Sequence, residues 1–68
     1  MIEIGIKKRI KNYSYCLFDD ILQIWVIDLN NNEFIVATIH DCRDMNDFEL
    51  DILTLETLEN LNYEIIGD

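Results

Sequence analysis

The stretch from Ile21 to His40, ILQIWVIDL followed by NNN and EFIVATIH, restricts this chain more than any other. β-Branched and aromatic residues crowd both arms, and such side chains suit a pleated, half-buried surface better than the turns of a helix. Asparagine enters left-handed backbone conformations more readily than most residues with a Cβ, so Asn30 to Asn32 can close a loop of two or three residues. The expectation is a β-hairpin. In its first arm Ile21, Trp25, Ile27 and Leu29 alternate with Leu22, Ile24, Val26 and Asp28, leaving two largely apolar faces. Such a strand belongs at the centre of its sheet, covered on both sides, with Trp25 in the core. In the second arm Ile35, Ala37 and Ile39 share one face, and Phe34, Val36, Thr38 and His40 share the other.

A chain of 68 residues is one domain. At this size folding buries only roughly 60% of the surface the unfolded chain exposes. Half of the residues are hydrophobic and there is no proline, which excludes a disordered tail and leaves more apolar side chains than one small interior holds. A homodimer that shares them is expected. The formal charge of −9 opposes direct binding to nucleic acid or to an anionic membrane, so attractive partners should be basic proteins. No segment reaches the roughly 20 apolar residues of a membrane span, and MIEIGIKKRI lacks the order of a secretory signal, so a cytoplasmic location is expected. In that reducing setting Cys16 and Cys42 are expected as two buried free thiols.

Along the first eleven residues Ile2, Ile4, Ile6 and Ile10 alternate with Glu3, Lys7, Arg9 and Lys11, which predicts a strand with one wet face. Gly5 marks a candidate bulge. The clustered Lys7, Lys8, Arg9 and Lys11 read as a solvated strand face, with Lys8 at the sheet rim. Asn12 suggests a turn, Tyr13 to Phe18 a second strand, and Asp19-Asp20 a polar break before the hairpin. The first forty residues thus predict a four-stranded antiparallel meander. Two continuations then fit: a strand over 47–53, a helix over 54–61 capped by Thr54 and a strand over 63–66, or one helix running on from about residue 45. The apolar residues from Phe48 to Leu61 scatter around a helical wheel, which favours the first. Asn62 is placed to end the helix in a left-handed conformation. Either way the class is α+β, an antiparallel sheet with its central hairpin over 21–40 and a short C-terminal helix.

Few residues suggest chemistry, and the expectation is a protein without catalytic activity, metal or cofactor. His40, Cys42 and Cys16 supply three zinc-binding side chains but no recurring Cys-x-x-Cys, and the Asp28-Asn30-Asn32 spacing of a calcium loop lacks its central glycine and terminal glutamate. The acids are more telling. From Asp41 onward, Asp41, Asp44, Asp47, Glu49, Asp51, Glu56, Glu59, Glu64 and Asp68 meet Arg43 alone. Alternate side chains on a strand stand about 6.6 to 6.8 Å apart, comparable to successive phosphates of a nucleic-acid strand. A row including Glu49 and Asp51 could then occupy a site built for a phosphate backbone. Asp41, Asp44, Asp47, Glu49 and Asp51 are therefore the candidate partner-binding residues.

In its size, its acidity, its richness in Ile, Asn and Asp and its run DCRDMNDFELD, the chain resembles the small phage-borne inhibitors of host defence enzymes, including anti-CRISPR and DNA-mimic proteins. That resemblance implies a non-enzymatic inhibitor, or an antitoxin-like binder, seated on the basic site of a nucleic-acid-binding enzyme. The competing expectation is a structural module that self-associates through its apolar sheet, with acidity serving solubility.

Overall fold

The computed structural model describes residues 7–67. Strand β1 (Lys8–Phe18), strand β2 (Ile21–Asp28) and strand β3 (Glu33–Ile39) form an antiparallel meander; helix α1 (Asp47–Asn60) and the short strand β4 (Tyr63–Ile65) complete the α+β fold. The sheet order is β3-β2-β1-β4, with β4 parallel to β1. The expected hairpin and the central place of β2 are both present. Its loop is Leu29 to Asn31: the Asp28 and Asn32 backbones close it at 2.9 Å, and Asn31 alone takes positive φ, 68°. The Asp28 carboxylate accepts the backbone N–H groups of Asn30 at 2.8 Å and Asn32 at 2.9 Å. Those bonds, the Asn32 N–H foremost, hold its pKa below the usual carboxylate range.

The first forty residues differ from the expected four-strand meander. Of the residues taken as two strands with a turn at Asn12, Lys8 to Phe18 form one strand, β1, in which Lys11 is an extra residue between the pairs Ile10–Asp28 and Asn12–Ile27. A bulge absorbs what the sequence suggested was a turn, and it lets Ile10 and Tyr13 point to the same side despite their odd spacing. The alternation expected of Ile2, Ile4 and Ile6, and the bulge at Gly5, lie outside the described residues. The fourth strand is instead β4, a parallel edge. Lys8 starts β1 at the rim, as expected, with its ammonium 5.0 Å from the centre of the Tyr63 ring.

The continuous helix is the continuation that forms. Its start is an Asn46–Glu49 capping box: the Asn46 side chain accepts the Glu49 N–H at 2.8 Å, and the Glu49 carboxylate accepts the Asn46 N–H at 2.9 Å. Thr54 is not a cap. It lies in mid-helix, fully buried, and donates its hydroxyl to the Leu50 carbonyl at 2.8 Å. Leu50, Thr54 and Leu58, spaced by four, form the buried stripe, whereas Phe48, Ile52 and Leu55 remain exposed. The wheel looked scattered because the helix is apolar on more sides than the sheet covers and because a threonine completes its inner stripe. Asn62 ends the helix region at φ 71°, as expected.

The core lies between α1 and one face of the sheet. Leu22, Ile24 and Val26 reach 0% exposure there, and Ile10, Leu50, Leu58 and Cys42 join them. Burying each large aliphatic side chain contributes about 1.5–3 kcal/mol. Tyr13 and Tyr15 extend from this face to the helix: the Tyr13 hydroxyl donates to the Asp51 carboxylate at 2.9 Å and that of Tyr15 to the Asp47 carbonyl at 3.3 Å. Burial, helped by the bond to Asp51 and its charge, raises the Tyr13 pKa. Among the described residues no helix lies on the opposite face. Trp25, expected in the core, lies there half-buried beside its β3 partner Ile35, because alternation sends it away from Leu22, Ile24 and Val26.

Candidate functional site

At the end of the sheet where β1 turns into β2 and β3 leads into α1, two loops are tied together. The Cys42 N–H donates to the Asp20 carbonyl at 2.8 Å. Beneath it the Cys42 thiol is buried and points toward the carbonyls of His40 and Ile39, at 3.6 and 3.7 Å. Cys42 is thus the peg that seats the Asp41–Asp44 loop against the Asp19–Asp20 turn. Asp19 and Asp41 take left-handed conformations, φ 59° and 64°, which aspartate tolerates better than most residues. A shallow depression is lined by Asp20, Asp41, Arg43 and Asp44. Asp47 follows at the helix start, where the positive end of the helix dipole favours it.

The five candidate partner-binding residues are therefore not a row. Asp41, Asp44 and Asp47 are exposed around this end of the fold. Glu49 is engaged in the capping box and Asp51, half-buried, in the bond to Tyr13. Because residues 47–53 are helical, Glu49 and Asp51 stand roughly 200° apart around the axis rather than on one strand face. The proposed match to phosphate spacing fails with that strand. Asp19 and Asp20, read from sequence only as a break, belong to the acidic end instead. No local pattern signals this, since the tie to Cys42 spans more than twenty residues of chain.

Phe48 was also missed. Read from sequence only as one of the apolar residues scattered around the helical wheel, it is 73% exposed on the first turn of the helix, next to Asp47. A large ring left in water beside clustered acids is the kind of anchor that carries binding energy in protein interfaces.

The other sequence candidates do not converge. Both thiols are free, but Cys16 is exposed rather than buried as expected, and only Cys42 is inside. Among the described residues no group of three His, Cys, Asp or Glu side chains is set to hold a metal ion. The concavities are shallow and open to solvent. Among the described residues no helix is long and apolar enough to cross a membrane. Part of the basic run is occupied locally: the Lys11 ammonium donates to the Asn31 side chain at 2.8 Å and that of Lys8 covers Tyr63. Compared with protein-family models, curated proteins and solved structures, the chain matches none.

Proposed function

We propose that the protein is a non-enzymatic inhibitor that places its acidic end in a basic, nucleic-acid-binding site of another protein. The observation that carries the reading is the tie between Cys42 and Asp20, which gathers Asp19, Asp20, Asp41 and Asp44 from two distant loops, with Asp47 alongside. Like charges repel, and a fold that holds five of them together maintains a local negative field suited to a basic cleft. Fixing them in loops pinned by backbone hydrogen bonds lowers the ordering cost of binding. Phe48 would supply the apolar contact at the rim of that site. The same chemistry serves a phage inhibitor of a host defence nuclease and an antitoxin that blocks a toxin's nucleic-acid site.

The fold dictates the form of the test. Charge reversal at Glu49 or Asp51 would break the capping box or the bond to Tyr13, and lysine fits poorly at the left-handed Asp19 and Asp41. Asparagine tolerates those conformations and removes the charge. The combined variant Asp19→Asn, Asp41→Asn, Asp44→Asn and Asp47→Asn should therefore keep the wild-type circular dichroism. Immobilised wild-type protein should retain nucleic-acid-binding proteins from a host lysate, release them to added double-stranded DNA or to salt, and lose them in the variant. Equal retention by the variant, or retention that neither DNA nor salt disturbs, would remove the proposal.

A further inference from the structure

The helix-free face of the sheet has no part in that reading. Phe18, Ile21, Trp25, Ile27 and Ile35 stand on it, Phe18 at 66% exposure and Ile35 at 43%. Ser14, Gln23 and Thr38 fill the space between them, so among the described residues the middle of this face bears no charged side chain, in a chain of which 28% is charged. A solvated face of so acidic a protein would carry its share of acids. Charge depletion around an aromatic residue is instead the composition of an interface core.

The charge distribution names the occupant. At one end of the strands lie Asp19, Asp20, Asp41, Asp44 and Asp47 with Arg43 alone opposing them. At the other end Lys7, Lys8, Arg9 and Lys11 are mixed with Asp28, Glu33 and Glu64, close to balance. Two copies stacked with parallel strands would superpose their acidic ends. Stacked with antiparallel strands, each acidic end faces the end that holds the lysines. A two-fold axis across the strands produces this arrangement and closes the contact, so no further copy adds. We propose that the helix-free face binds a second copy of this chain, sheet on sheet with strands antiparallel and Trp25 near the two-fold axis.

The contact is modest. Eight residues of β2 across four strands span about 26 by 19 Å, on the order of 500 Å² before side-chain relief. That is below the roughly 800 Å² per partner of a standard stable interface, so the dimer is expected to be reversible, populated between roughly 10 and 1,000 µM.

Sedimentation equilibrium of the full chain over that range should show monomer giving way to dimer, with Trp25 emission moving to shorter wavelength in step. Ile35→Lys places a charge at an already exposed strand position, so the fold should persist by circular dichroism while association weakens more than about tenfold. Ser14 is paired with Trp25 midway along β1 and marks the axis. With a short bis-maleimide, Ser14→Cys combined with Cys16→Ser should crosslink to its own copy, whereas wild type, whose exposed thiol is Cys16, should not. A chain that stays monomeric throughout, association indifferent to Ile35→Lys, or equal crosslinking through Cys16 would each overturn the proposal. So would a monomer whose Trp25 is shielded from an aqueous quencher, since something other than a second copy would then cover the face.

Discussion

The two faces of β2 are nearly matched in sequence and unlike in the fold. Leu22, Ile24 and Val26 are fully buried under α1; Ile21, Trp25 and Ile27, equally apolar, are half-buried because only the flanking strands shelter them. The difference teaches that apolar alternation identifies a central strand but does not say whether anything lies over each face. This chain has one helix among its described elements, and one helix covers one side of a four-stranded sheet. The choice of side follows from β1 as well. Its bulge brings Ile10, Tyr13, Tyr15 and Leu17 under the helix and leaves Asn12, Ser14, Cys16 and Phe18 on the other side.

Mutation can break this comparison. The largest effect belongs to Ile24→Ala, which leaves a cavity under α1 and should cost about 2–5 kcal/mol in urea denaturation. Stability in a domain of this size runs at only roughly 0.05–0.15 kcal/mol per residue, so that loss takes a large share of the total and should lower the urea midpoint markedly. Trp25→Ala removes more atoms, yet in the monomer it should cost less than the about 3–5 kcal/mol of a fully buried aromatic, because part of the indole is already in water. Were Trp25→Ala to prove the more damaging of the two at monomeric concentrations, the assignment of covered and open faces would be wrong.

A smaller effect tests the tie between the covered face and the helix. Tyr13→Phe removes the bond to Asp51 and should cost about 0.5–1.5 kcal/mol at neutral pH. The Tyr13 pKa is raised in the folded state, so the protonated phenol is the form that folding favours. Its contribution is complete below the ordinary phenol value of about 10 and declines as the pH rises toward the folded value. Wild type should therefore lose stability more steeply than Tyr13→Phe on titration above about pH 10. Parallel alkaline titration curves would show that the hydroxyl is not engaged.

The smallest effect is expected on the open face itself. Ile35→Thr keeps a β-branched side chain at a position already 43% exposed, and should change monomer stability by less than about 0.5 kcal/mol. A loss of several kcal/mol in dilute solution would mean that this face is covered within the monomer.

Legibility in the sequence followed the range of the interactions. The hairpin was readable because its strands and its asparagine turn are neighbours in the chain, and Asn62 was readable because one residue's backbone freedom suffices. The helix start was nearly readable: Asn46 and Glu49 stand at capping-box spacing, but the scatter of apolar residues from Phe48 to Leu61 around a helical wheel pointed toward a strand over 47–53. The acidic end was half legible. Asp41, Asp44 and Asp47 could be named from their charge, whereas Asp19 and Asp20 entered only through a backbone bond between distant loops, and Glu49 and Asp51 left because the fold employs them.

By itself the sequence determined an α+β class, a central β2, an asparagine turn within Asn30 to Asn32 and a surplus of acids at the polar break and beyond the hairpin, all properties of composition or of residues close along the chain. The tertiary structure alone decided that β1 is one bulged strand, that β4 lies parallel beside it, that the helix takes Leu50, Thr54 and Leu58 inward, and that Trp25 faces away from the core. The reason is geometric. Local patterns state which side chains favour burial, but the area that can be buried is set by how many elements the chain can lay over its sheet, and that depends on contacts between segments far apart in sequence.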